Sequence, residues 1–204
     1  FAEGGYMPLL LGFGLIIVMW TWARGTAIVR EKYRRTSVPL RDVLKMLKKS
    51  EPHRVTGTAV FLTSDPEMAP SALMHNLKHN RVLHKQNVMF TVRTSVEPRV
   101  PKSKQVEVVD LGDGVLQVIA NVGYMETPDV PKLLQQARKH RRDIDPERAS
   151  YFLAHLRLVA DPNSGMPLWQ DRLYIGLTKF SNDITDYFRI PTQRAVELGT
   201  QLTV

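Results

Sequence analysis

The sequence predicts one N-terminal transmembrane helix followed by a cytoplasmic α/β domain with a mixed, partly parallel sheet. Three observations predict it. An uncharged apolar run opens the chain, a cluster of bases follows, and short apolar runs then alternate with segments of helical period. The expected layout is a transmembrane helix over 1–25, a basic juxtamembrane linker with a short amphipathic helix over 26–56, and an α/β domain over 57–204.

The run from Tyr6 to Ala23 holds eighteen residues without a charge. As a helix it spans about 27 Å, close to the hydrocarbon thickness of a bilayer. Tyr6 stands at one end and Trp20 and Trp22 at the other, where amphipathic rings favour the membrane interface. Arg24 is the first base, so Trp20, Trp22 and Arg24 are the candidate membrane-interface residues. A signal peptide would carry its bases before the apolar run. Here they come after it.

The whole chain of 204 residues has a net charge of +8. That charge is local. Residues 24–49 carry nine bases and two acids, whereas residues 50–204 carry nineteen bases and seventeen acids. The positive-inside rule then puts residues from about 24 onward in the cytoplasm. The nearly neutral remainder has no basic stripe for nucleic acid. The absence of cysteine excludes a disulfide scaffold, thiolate metal sites and a thiol nucleophile.

Within 38–49, Leu40, Val43, Leu44 and Leu47 fall at i, i+3, i+4, i+7 with bases on the other faces. Such a helix either lies on anionic lipid or packs on its own domain; the second is the favoured reading. Strands are expected at 57–63, 87–94, 105–111, 114–122 and 149–156, and the last segment, from Arg194, closes the chain as a strand. Gly112-Asp113 makes 105–122 a hairpin, with Leu116, Val118, Ala120 and Val122 on one face. Pro70 opens a helix carrying Leu73 and Leu77, and Asp129 caps one carrying Val130, Leu133, Leu134 and Ala137. Trp169, Leu173, Leu177, Phe180, Ile184 and Phe188 step by three or four, which predicts one long helix with that stripe inward, ending near Ile190-Pro191.

Two loops carry candidate ligand-binding residues. Asn76, His79, Asn80 and His84 could hydrogen-bond a ligand at the carboxyl end of the sheet, or could simply cap the helix end. His75 and His79 have metal-ligand spacing, but neither an HExxH motif nor a cysteine supports zinc. In Gly123–Asp129, Tyr124 could stack on a base and Thr127 could donate to a phosphate; a plain turn with a helix cap is the alternative. Asp143 and Asp145 read as a solvated pair. No nucleophile elbow, phosphate loop or dinucleotide fingerprint appears, so nothing calls for an enzyme, a metal or a cofactor.

The strings GTAVFLT, ALMHNLKHNRVLHKQNV, RTSVEPRVP, GYMETPDVP, SYFL and RAVELGTQL resemble the bacterial members of the KUP/HAK/KT potassium uptake family. The preceding GGYMPLLLGFGLIIVMWTWARG looks like the last membrane helix of such a transporter. Thr56 departs from the proline common there. The resemblance implies a proton-coupled potassium importer of the plasma (inner) membrane, whose ion sites lie in earlier helices outside this chain. It makes residues 57–204 a cytoplasmic regulatory and dimerisation domain. The implied partners are the rest of the membrane domain, the bilayer, a second copy and a cyclic dinucleotide of the cyclic di-AMP kind. Phe1 in place of a methionine reads as a piece of a longer protein, and residues 24–52 read as the only covalent path from span to domain.

Overall fold

The computed structural model describes residues 6–141, 143–161, 164–179 and 184–203. In chain order the elements are α1 (Tyr6–Thr36), α2 (Leu40–Ser50), β1 (His53–Thr63), α3 (Ser71–His79), β2 (Val82–Ser95), β3 (Val106–Gly112), β4 (Val115–Gly123), α4 (Val130–His140), β5 (Ser150–Val159), α5 (Leu168–Thr178), α6 (Ile184–Tyr187) and β6 (Ala195–Thr203). They form two compact units. One combines Phe1–Thr36, Leu156–Ser181 and Gln201–Val204; the other combines Ser37–His155 and Asn182–Thr200.

The chain therefore crosses between the units after Thr36, His155, Ser181 and Thr200. Residues 24–52 remain the covalent link from α1 to the sheet, and the later crossings join the other segments of the smaller unit to it. The long strands β5 and β6 each contribute residues to both units, a property that local sequence does not signal.

In the larger unit the sheet has the order β3-β4-β2-β1-β5-β6. β1 pairs parallel with β2 and β5, and β2 parallel with β4. β3 pairs antiparallel with β4, as the hairpin reading requires. The turn holds Gly112 and Gly114 at φ of 84° and 71°, backbone that glycine adopts without a Cβ penalty.

Alternate residues of the parallel strands enter two cores, which explains their near-continuous apolar runs. Val60, Val88, Phe90, Leu116, Val118 and Tyr151 pack with Val130, Leu133, Leu134 and Ala137 of α4. Their neighbours Ala59, Phe61, Met89, Val115 and Phe152 pack with α2 and α3. Leu40, Val43 and Leu47 of α2 are buried in this second core, so α2 packs on its own domain. The Asp129 carboxylate accepts the Lys132 N–H at 3.1 Å, the cap expected for α4.

In the smaller unit α1 runs as one helix thirteen residues past Ala23, about 20 Å further. Its partner is α5. Thr21 and Gly25 of α1 are buried, and a Cβ at Gly25 would strike the Tyr174 ring of α5. Trp22 and Tyr174 have ring centroids 5.5 Å apart. Met166, Tyr174, Ile28, Val29 and Leu158 complete a small core.

The long helix expected over 169–188 is not continuous. α5 ends at Thr178, and α6 is a separate four-residue turn of helix. Phe180 lies outside the described residues. The buried face of α5 is also not the expected one: it holds Gln170, Asp171 and Tyr174, while Trp169 is 53% exposed. Period alone finds an apolar stripe; it does not say which medium the stripe meets.

Candidate functional site

Among the described residues, α1 is the one helix long and apolar enough to cross a membrane. Leu9, Leu11, Phe13, Ile16 and Met19 each leave 63–70% of their surface exposed, so this flank is not the core of a water-soluble unit. Trp20 and Trp22 are half exposed at the end of the uncharged run. Arg24 stands with its guanidinium carbon 5.7 Å from the Trp20 ring centre and donates to the Gly165 carbonyl at 2.6 Å. Arg24 and Trp20 thus share one face of α1, while Trp22 packs on Tyr174. Lys32 lies further along α1 and donates to the Thr203 carbonyl at 3.0 Å.

The Asn76–His84 loop lies at the other expected location, but at the wrong end of the sheet. Asn80 precedes β2, so the loop stands at the amino end of a parallel strand, not the carboxyl end. Asn76 is buried and donates to the Val82 carbonyl at 2.9 Å; its side-chain oxygen accepts from Asn80 at 2.8 Å. These two asparagines close the helix end, which is the capping alternative. His79 is exposed and stacks on His75 with centroids 5.9 Å apart, while His75 Nε2 lies 3.4 Å from Thr200 Oγ1. His84 is turned against Phe152, 5.9 Å between ring centres, and burial lowers its pKa. No group of three His, Cys, Asp or Glu side chains converges on a metal site among the described residues.

The loop after β4 does lie at a carboxyl end. Tyr124 and Thr127 are exposed there. The residue that organises the loop is Glu126, which the sequence analysis did not single out. Its carboxylate accepts the Gly123 N–H at 2.8 Å, the Val100 N–H at 3.1 Å and a Gln105 amide N–H at 3.4 Å. The Gly123 and Val100 N–H groups hold its pKa below the usual carboxylate value. The Tyr124 and Met125 N–H groups donate to Glu97 and Pro98, which ties the 96–100 loop to this turn.

The two loops do not meet. Gly123 is level with Ser95 on β2, eleven residues beyond His84. At strand rise that separation is about 36 Å. No single small ligand bridges them within one chain. Asp143 accepts from Arg141 at 3.2 Å, so the charged loop after α4 is paired as well as solvated.

A family model described as "K+ potassium transporter C-terminal domain" matches residues 56–204. The "Probable potassium transport system protein Kup" of Caulobacter vibrioides is 48% identical over 204 residues, which is 100% of this chain and 31% of that protein. "Probable potassium transport system protein Kup 2" of Rhodopseudomonas palustris is 50% identical over 202 residues, 99% of this chain and 32% of its own length. Kup 1 of Bradyrhizobium diazoefficiens is 49% identical over 202 residues, with 99% and 31% covered. The chain spans about a third of the length of these relatives. No solved structure matches it.

Proposed function

The chain belongs to the K+ potassium transporter C-terminal domain family, and from that premise we propose that it supplies a membrane helix and the cytoplasmic domain of a potassium uptake transporter. One observation carries the reading. The likeness to potassium transport proteins runs over the whole chain, so it includes the apolar helix as well as the α/β unit behind it.

In this reading α1 is a span of the plasma (inner) membrane and residues from about 24 onward face the cytoplasm. The concentration of bases just after Ala23 supports that orientation. The parent transporter couples potassium entry to protons at sites in its other membrane helices. The α/β unit regulates or assembles the pore, and its partners are the remaining membrane helices, the bilayer and a second copy of itself. No catalytic step is assigned to any residue.

Orientation is directly testable because the chain has no cysteine. Val96 is 95% exposed, so V96C offers a label site on the larger unit. A membrane-impermeant maleimide should leave V96C unlabelled in intact cells and label it in inside-out vesicles. Labelling from outside intact cells would overturn the cytoplasmic assignment.

A further inference from the structure

Helix α5 is built inside out for a helix in water. Its sequence offers Leu168, Trp169, Leu173, Ile175 and Leu177 as apolar side chains; the last three are largely covered, yet Leu168 and Trp169 are exposed. Its buried positions go instead to Gln170 and Asp171, both with 0% exposure, and to Tyr174. Asp171 accepts the Ser164 hydroxyl at 3.1 and 3.2 Å. Among the described residues the Gln170 amide has no partner for either its oxygen or its nitrogen. Burying an unpaired amide while leaving tryptophan and leucine outside is unfavourable on both counts when the surroundings are water. When the outer medium is apolar the exposure of Leu168 and Trp169 becomes favourable, and the amide gains nothing by facing outward.

The level at which α5 sits identifies that medium. Tyr174 packs on Trp22 and Gly25, the residues on either side of the boundary where the uncharged run ends and Arg24 begins. Arg24 also grips the Gly165 carbonyl just before α5. Trp169 is five residues from Tyr174, about 8 Å along the helix. On the outer surface of residues 168–179 the exposed charges are Arg172 and Lys179, since the acid of the segment is buried. Tryptophan and leucine flanked by cations, beside the cytoplasmic end of a span, match the boundary between acyl chains and anionic headgroups.

We propose that α5 is a membrane-surface helix that binds anionic lipid beside the end of α1. Leu168 and Trp169 enter the acyl–headgroup boundary, and Arg172 and Lys179 meet lipid phosphates. The chain is thereby held to the membrane at two points, with Tyr174 joining them. The inference rests on the reading of α1 as a span.

The chain has three tryptophans, so W20F/W22F leaves Trp169 as the sole reporter. The whole chain is reconstituted into vesicles of phosphatidylcholine with phosphatidylglycerol, one lipid or the other carrying bromines near the headgroup end of its acyl chains. Trp169 emission should shift to the blue, lose its quenching by acrylamide, and be quenched more by brominated phosphatidylglycerol than by brominated phosphatidylcholine. R172E/K179E should remove that preference. Equal quenching by the two lipids overturns anionic-lipid binding. Emission open to acrylamide and untouched by bromine overturns the membrane placement. Shielding from both quenchers also overturns it, in favour of a second copy covering α5. If W20F/W22F does not fold, W169C in the otherwise native chain carries a spin label whose accessibility to oxygen and to an aqueous relaxant distinguishes lipid from water at the same position. I16C, labelled in the same way, separates the two readings: Ile16 in lipid with position 169 in water rejects the surface helix alone, and both in water rejects the span as well.

Discussion

Glu126 shows how a single side chain fixes the shape of a loop that looks like a ligand site. Its carboxylate serves the N–H groups of Gly123 and Val100, which lie on two different loops. E126A should cost about 1.5–3 kcal/mol, the range for hydrogen bonds to a charged group. Thermal unfolding of the whole chain in detergent measures it, at about 2–4 °C per kcal/mol for a chain of this size. The pH dependence has a definite sign. The folded pKa is lowered, so the contribution is complete above the ordinary glutamate value and is lost as pH falls through the lowered one. The gap in Tm between wild type and E126A should therefore shrink on acidification below the ordinary carboxylate range. A gap independent of pH across that range would contradict the assignment. The sequence shows Glu126 as a charge in a turn; its partner Val100 lies twenty-six residues away, so only the fold reveals its role.

At the scale of elements, α2 is a structural member of the α/β unit even though it is basic on its outer face. Leu40, Val43 and Leu47 are buried against β1, β2 and α3 residues. L47A should lower stability by about 2–5 kcal/mol, the range for a leucine removed from a core, whereas K45A on the exposed face should change little. Hydrogen exchange of β1 and β2 in the two variants checks this, and equal protection in both would contradict it. The period of apolar residues made α2 and α4 legible, because each meets a core on the face that the pattern marks, and the continuous apolar runs marked the central parallel strands, which are buried on both faces. The same rule failed in part at α5, where Leu168 and Trp169 are exposed while Gln170 and Asp171 are buried. Helical period reports that two faces differ in polarity; near a membrane, outside can be the more apolar side. The distance between the two candidate loops was not legible for another reason: β2 runs its full length between them, and that length becomes visible only once β2 and β4 are in register.

For the whole molecule, the charge distribution and the fold agree on a division of labour. The uncharged run and its collar belong to α1, and the nearly neutral remainder builds the mixed sheet. Two compact units share the chain, with β5 and β6 contributing to both. If this chain serves as the C-terminal part of a potassium transporter, it should replace the matching segment of a relative in a working chimera. The matching 31% of the Caulobacter vibrioides Kup protein is replaced by these 204 residues and expressed in cells deficient in potassium uptake. Rubidium uptake and growth at low potassium should be restored, while the same protein truncated before the segment should fail. A chimera that reaches the membrane in normal amount and takes up no rubidium would contradict the claim.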